Sequence, residues 1–366
     1  MKRVLVFFGT RPEAIKLSGV IKALKVRDGI ECYACSTGQH TDMLLSTVSE
    51  MNIAVDIEFN VMQVSQGLAA LGGSLLKVCS EAIERVSPDL VIVHGDTASA
   101  YFAALSAFFA HIPIVHVEAG LRSGDIRSPF PEEYFRRSIS LISTLDLAPT
   151  DAAAKNLVSA GKKKENIYVT GNTVIDAVVS NIRADYSHPI LDAAVGKRLI
   201  LVTAHRRENL GEPMQRIFSA LGRVCEQRSD VFLICPLHKN PEVREIAHKV
   251  LSGYRQIVLC EPLTPIELHN VMARSFAVVT DSGGIQEEAA HLGVPTLVLR
   301  DNTERGEGVE CGAAMLVGSD ERRIIEAICE LIDNKELYER MKSAKSPYGD
   351  GRASERIAEA VCDFLR

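Results

Sequence analysis

Four carboxylates stand where acid–base chemistry is possible. Asp96 and Glu118 each follow a short apolar run, at 90–94 and 114–117, and Glu132 with Glu133 follows Pro131. Such a cluster has two uses. It stabilises a developing cation, and mutual repulsion raises one pKa toward neutrality so that a carboxyl can transfer a proton. Structural roles compete with this reading. Asp96 or Thr97 suits the N-cap of the next helix, and Glu132 and Glu133 suit a first helical turn.

A second group is cationic: Arg11, Lys16, His205, Arg206 and Arg305. With it goes Asp281-Ser282-Gly283-Gly284, which opens a helix. Glycines let a ligand approach the backbone, and helix-start N–H groups favour an anion, so this reads as a diphosphate cradle. Glu288 on the same helix could accept ribose hydroxyls or simply face solvent. His238 reads as a loop or capping residue. His94 and His116 are expected to point into packing, and no His-x-x-x-His pair makes them metal ligands. Cys32 and Cys35, three apart on a strand, should face opposite sides of it, with no second pair to complete a zinc site.

Strands and helices alternate around these residues. Strands are expected at 3–8, 30–36, 90–94, 114–117, 145–148 and 167–170, then at 199–203, 231–235, 256–260, 277–280 and 296–299. Helices are expected at 12–26, 41–50, 65–87, 97–109 and 151–160, then at 214–228, 241–251, 265–274 and 284–292. Continuous apolar strands alternating with helices mean parallel sheets covered on both faces. Two such series imply an α/β chain of two doubly wound, Rossmann-like domains, 1–172 and 173–352, with an amphipathic helix at 353–366 packing back onto the first. Ligands bind beyond the carboxyl ends of such strands. Nearly every strand here runs into a charged or glycine-rich turn, so a shared interdomain cleft is the expected site.

Composition narrows the field. The 366 residues are 46% hydrophobic and 24% charged, as in ordinary globular chains. A net charge of −6 argues against nucleic-acid binding. No run reaches the length of a membrane span, and no secretory signal is visible. The odd count of nine cysteines suits reduced thiols and a cytoplasmic setting.

The motifs Gly9-Thr-Arg-Pro-Glu-Ala-Ile-Lys16, His94-Gly-Asp-Thr97, His116-Val-Glu-Ala-Gly-Leu-Arg122, Pro131-Glu-Glu133, Gly171-Asn-Thr-Val-Ile-Asp176, His205-Arg-Arg-Glu-Asn209, Thr280-Asp-Ser-Gly-Gly-Ile-Gln-Glu-Glu288 and Pro347-Tyr-Gly-Asp-Gly351 occur in that order. Together they resemble the bacterial non-hydrolysing UDP-N-acetylglucosamine 2-epimerases. The resemblance implies a GT-B-like fold, usually as a homodimer. It implies interconversion of UDP-GlcNAc and UDP-ManNAc without a cofactor or metal, by elimination of UDP to 2-acetamidoglucal and re-addition. Carried over by position, Asp96, Glu118, Glu132 and His205 are the catalytic candidates. Arg11, Lys16, Ser282, Gly283, Gly284, Glu288 and Arg305 match UDP-binding positions. Gln39, Gln66, Arg206 and His238 match positions that hold a second, activating UDP-GlcNAc in some members.

The chain departs from the family pattern at Ala98-Ser99, where threonines are usual, at Phe135 for Asn, and at Gly306 for Pro. Hydrolysing relatives, which release free ManNAc and UDP, resemble Gly-Thr-Arg-Ala-Asp at the first loop rather than Gly9-Thr-Arg-Pro-Glu13. A glycosyltransferase on the same fold and a sugar-nucleotide sensor without turnover are the remaining alternatives.

Overall fold

The computed structural model describes residues 1–39, 42–62 and 66–366. The helix starts expected at Thr41 and Ser65 lie outside the described residues. Two compact units form, one of residues 1–179 with 348–366, the other of residues 180–347.

The first unit runs β1 (Lys2–Phe8), α1 (Arg11–Lys25), β2 (Ile30–Ser36), α2 (Asp42–Glu50), β3 (Ile57–Glu58), α3 (Leu68–Val86), β4 (Leu90–His94), α4 (Ala98–Phe109), β5 (Ile114–Val117), α5 (Glu132–Ile142), β6 (Leu145–Ala148), α6 (Asp151–Ser159), β7 (Ile167–Val169) and α7 (Thr173–Asn181). Its seven strands are parallel in the order β3-β2-β1-β4-β5-β6-β7. The order reverses between β1 and β4, the topological switch point at which such sheets bind ligands.

Alternation along β1 shows why the sheet is covered twice. Val4, Val6 and Phe8 join one core with α1 residues Leu17 and Ile21 and with Ile357 and Val361 of the C-terminal helix Ala353–Leu365. Leu5 and Phe7 join the opposite core with Cys79 and Ile83 of α3 and Ala100 and Ala104 of α4. Successive side chains of a strand point to opposite faces, so a strand buried on both must be apolar throughout. Cys32 and Cys35 obey the same rule, one in each core, and burial pushes both thiols up to about 12.

The second unit runs α8 (Pro189–Ala193), β8 (Arg198–Thr203), α9 (Glu212–Gln227), β9 (Val231–Pro236), α10 (Pro241–Leu251), β10 (Ile257–Cys260), α11 (Pro265–Ala273), β11 (Ala277–Thr280), α12 (Gly283–His291), β12 (Thr296–Val298), α13 (Gly306–Glu310), β13 (Ala314–Leu316), α14 (Glu321–Asp333) and α15 (Lys335–Lys342). Its six parallel strands lie in the order β10-β9-β8-β11-β12-β13, with the switch point between β8 and β11.

The units divide at 179/180 and 347/348, not at the expected 172/173 and 352/353. The reason is local: the Asp176 carboxylate on α7 accepts the N–H groups of Ala353 at 3.1 Å and Ser354 at 2.6 Å. That bond caps the start of the C-terminal helix and holds most of α7 in the first unit. Strands β3 and β13, two and three residues long, are too short to show a period and were not foreseen. Among the described residues, no helix is long and apolar enough to cross a membrane.

Candidate functional site

In the first unit the loops after β1 and β4 meet at the switch point. Thr10 caps α1 through a capping box with Glu13, and Pro12 lies in the first turn. Glu13 does more than cap. One carboxylate oxygen accepts from Gly9 N (3.0 Å), Thr10 N (2.9 Å) and Thr10 Oγ1 (2.9 Å), and the other accepts from Thr97 Oγ1 at 2.7 Å. It thereby ties the β1 loop to the β4 loop. Burial raises its pKa to about 7, against the four hydrogen bonds that lower it. Gly9 is required by close approach, since a Cβ there would sit 2.0 Å from Ser99 Oγ and 2.2 Å from Thr37 Oγ1.

Thr97 is the N-cap of α4 and accepts from Ala100 N at 3.0 Å. The capping role considered for Asp96 is therefore taken by its neighbour. The Asp96 carboxylate pairs instead with Arg136, on α5 one turn beyond Glu132. Arg136 is buried, and its Nη1 also lies 3.4 Å from Glu133. Glu133 is fully buried; it accepts from Ser123 N at 3.0 Å and Arg137 Nε at 2.7 Å. Of the two adjacent glutamates, Glu133 is thus structural, whereas Glu132 is half-buried in the first turn.

Glu118 follows β5 with φ of 62°, in the left-handed region a non-glycine residue rarely occupies. Residues held so cluster at functional sites. Its carboxylate pairs with Lys16, so Lys16, a UDP-binding candidate, sits on a catalytic candidate. His94 Nε2 lies 3.6 Å from the same carboxylate. Burial lowers the His94 pKa to about 4, with Glu118 opposing and Lys16 assisting. His94 was expected only to pack, yet it forms part of the acid cluster. Gln39, at the same sheet edge, accepts from Ser99 Oγ at 2.8 Å and Ser99 N at 3.2 Å. Gln66, just before α3, donates to Ser74 Oγ at 3.4 Å. Arg11 occupies the first position of α1.

Phe135 is buried in an apolar cluster with Ala98, Leu71 and Leu75, and stacks on Tyr101 at 4.8 Å and 15°. Two departures from the family pattern, Ala98 and Phe135, therefore pack together as one apolar contact.

In the second unit the loops after β8 and β11 are joined by Asp281. Its fully buried carboxylate accepts from His205 N (2.9 Å), Arg206 N (2.9 Å) and Asn209 Nδ2 (3.0 Å). His205 Nδ1 lies 3.6 Å from the other oxygen, and the ring stacks on His238 at 5.2 Å and 11°. His238 also accepts from Asn240 N at 3.1 Å, and burial lowers its pKa, with His205 adding to the effect. Ser282 is the N-cap of α12, followed by Gly283 and Gly284, so this segment opens a helix as the sequence suggests.

Glu304 sits among three guanidinium groups. Arg206 Nη2 is at 3.0 Å, Arg300 Nη1 at 2.6 Å and Arg305 Nη1 at 3.6 Å. Burial raises the Glu304 pKa, but the arginine fields overcome it and hold the carboxyl well below its usual range. Arg305 Nε also donates to Glu287 at 2.7 Å. Arg206, matched to the activator, and Arg305, matched to UDP, thus share one carboxylate. Glu288 is buried, with Oε2 at 3.5 Å from His269 Nε2; His269 is itself bonded to Asn181 at 3.1 Å. A solvent-facing role for Glu288 is excluded by that burial. Gly306 begins the short α13 directly after Arg305.

Arg136 and Glu304 were not singled out from the sequence, whereas Glu13, His94 and Asp281 were read there only as a motif difference, a packing residue and the opening of a helix. None of those readings showed the long-range partner that defines the role. Chemically, the first unit presents paired carboxylates at a switch point, and the second presents a glycine-opened helix ringed by arginines and a histidine pair.

The chain matches the UDP-N-acetylglucosamine 2-epimerase family model over residues 22–362. It is similar to the UDP-N-acetylglucosamine 2-epimerase of Bacillus subtilis (strain 168), at 46% identity over 98% of this chain and 94% of the relative. Among solved structures it resembles the UDP-GlcNAc 2-epimerase of Neisseria meningitidis bound to UDP-GlcNAc, at 39% identity and a TM-score of 0.93, covering 99% of this chain and 100% of that one. The Methanocaldococcus jannaschii UDP-GlcNAc 2-epimerase in complex with UDP-GlcNAc and UDP matches at 32% identity and a TM-score of 0.85, again over 99% and 100%. The α/β, GT-B-like fold class expected from the sequence stands on these likenesses and on the two parallel sheets. The chain belongs to the UDP-N-acetylglucosamine 2-epimerase family.

Proposed function

We propose that the protein interconverts UDP-GlcNAc and UDP-ManNAc without releasing free sugar. The C2–H of a sugar is not acidic until the anomeric C–O bond begins to break and C1 becomes cationic. UDP departs from C1 as the C2 proton is lost, leaving 2-acetamidoglucal. UDP then re-adds while a proton returns to the other face of C2. Asp96, Glu118 and Glu132 share proton transfer and stabilisation of the cation. Arg11, Lys16, Ser282, Gly283, Gly284, Glu288 and Arg305 bind UDP, and His205 assists its departure by meeting the developing charge on the diphosphate. Gln39, Gln66, Arg206 and His238 bind a second UDP-GlcNAc as activator. The enzyme works as a cytoplasmic homodimer, needs no cofactor or metal, and supplies ManNAc units for surface polysaccharide.

One observation carries the reading: two carboxylates at the first switch point, Asp96 and Glu118, each paired with a cation, Arg136 and Lys16. Each pairing sets a cation against one of the acids and offsets its charge. The non-hydrolysing form is supported by Glu13. Its side chain spans from the Gly9 and Thr10 amides to Thr97, a reach that the Asp of the hydrolysing pattern, one methylene shorter, would not match. The test is chromatography of UDP-GlcNAc incubated with enzyme. The reading expects UDP-ManNAc with total nucleotide sugar conserved. Equal amounts of free UDP and ManNAc, rising in step with substrate loss, would assign the hydrolysing reaction instead.

A further inference from the structure

Behind the Asp96 loop lies a buried polar cluster that the catalytic roles above leave unused. His116 on β5 and Asp146 on β6 are cross-strand partners, and both are 0% exposed. His116 Nε2 is 2.7 Å from the carbonyl oxygen of Gly95. A carbonyl can only accept, so Nε2 carries the hydrogen and donates. Burial lowers the His116 pKa, with the Asp146 carboxylate opposing. Gly95 is held at its preceding peptide too, its N–H donating to Val117 O at 2.9 Å. Gly95 has φ of 66°, a conformation with little inherent preference to hold itself, and Asp96 is the next residue.

Asp146 is the hub of the cluster. One oxygen accepts from Ser143 Oγ at 2.7 Å and lies 3.9 Å from His116 Nδ1; the other pairs with Lys162 Nζ at 2.9 Å. Lys162 Nζ also donates to Ser140 O at 3.0 Å and Ser143 O at 2.7 Å. Those carbonyls end α5, the helix that carries Glu132 and Arg136. A lysine at a helix C-terminus satisfies orphan carbonyls and complements the dipole. The cluster therefore grips the Asp96 loop at one end and the Glu132 helix at the other. A buried charge set of this kind is costly to maintain for stability alone, since replacement by apolar residues is often neutral or stabilising.

We propose that His116, backed by Asp146 and Lys162, is a positioning residue for the epimerase reaction: it fixes the Gly95 carbonyl and so sets Asp96 against the helix that carries Glu132. The proposal rests on the roles given to Asp96 and Glu132 above. Misplacing a reacting group by about 1 Å can cost roughly a hundredfold in rate.

The test compares His116→Gln with His116→Asn. The Gln amide nitrogen takes the place of Nε2 and can still donate to Gly95 O; the Asn amide stops near Nδ1 and cannot. Both are polar and similar in size, and either can be checked for folding by its thermal midpoint. The expected result is that His116→Asn lowers kcat by about tenfold or more, with KM for UDP-GlcNAc within about threefold of wild type, and His116→Gln recovers most of that loss. Equal kcat in the two variants, whether both near wild type or both equally reduced, overturns the proposal. Asp96→Asn in the same assay separates the two layers. If it is inactive while the His116 variants behave alike, only the positioning role fails. If it turns over at the wild-type rate, the role given to Asp96 fails first.

Discussion

Asp96 is ion-paired with Arg136, four residues after Glu132 on the same helix. One turn of helix thus links two proposed acids, because residues four apart share a helix face. Arg136 fixes where the Asp96 carboxylate points. Asp96→Asn keeps the shape and removes both charge and basicity. It should lower kcat by about 10²–10⁴-fold while calorimetric UDP affinity stays within about threefold of wild type. Wild-type turnover in Asp96→Asn would remove it from the mechanism.

Arg11 opens α1 directly after the glycine loop, where the resemblance assigns UDP contact. Arg11→Ala should weaken UDP binding by about 1.5–3 kcal/mol, the range of hydrogen bonds to charged groups, or roughly 10- to 150-fold in Kd. Unchanged affinity in a titration with UDP would place Arg11 outside the nucleotide site.

His94 makes a stability prediction with a definite sign. Its pKa falls from 6.5 to about 4 on burial beside Lys16, although Glu118 opposes the shift. A depressed pKa means that the folded state binds this proton less readily than the unfolded chain. The contribution to stability is full above pH 6.5 and is lost as pH falls through 4, about 3 kcal/mol in all. His94→Gln cannot titrate there. Urea unfolding at pH 7.5 and pH 4.5 should show a smaller acid loss in the variant by about 2–3 kcal/mol. Identical losses would mean that His94 is not a buried neutral base.

The activator reading falls on His238, which stacks on His205. Initial rates against UDP-GlcNAc should be sigmoidal, and His238→Ala should shift the curve to higher concentration by several-fold. A hyperbolic curve that His238→Ala leaves unmoved would count against a second site.

Both sheets were legible in the sequence because buried parallel strands are continuous apolar runs ending in polar turns, as at 90–97 and 277–284. The acids Asp96 and Glu118 were legible for the same reason, lying just past strand ends. Helix α5 was legible only as a first turn at Glu132 and Glu133, not as an element with bounds. Its polar first turn and its Arg136-Arg137 pair obscure the apolar face made by Phe135 and Ile139, both buried. What the sequence could not show were partners across long separations: Glu13 with Thr97, Asp281 with the His205–Asn209 loop, and Lys16 with Glu118. These depend on strand order, which brings β1 beside β4 and β8 beside β11. Local spacing carries no record of that order.

Elimination and re-addition at C2 can be followed in a proton NMR time course of UDP-GlcNAc with enzyme in D2O. Deuterium should appear at C2 together with UDP-ManNAc, with the nucleotide sugar intact at equilibrium. UDP-ManNAc formed with C2 still protonated, or free ManNAc and UDP as the only products, would contradict that mechanism.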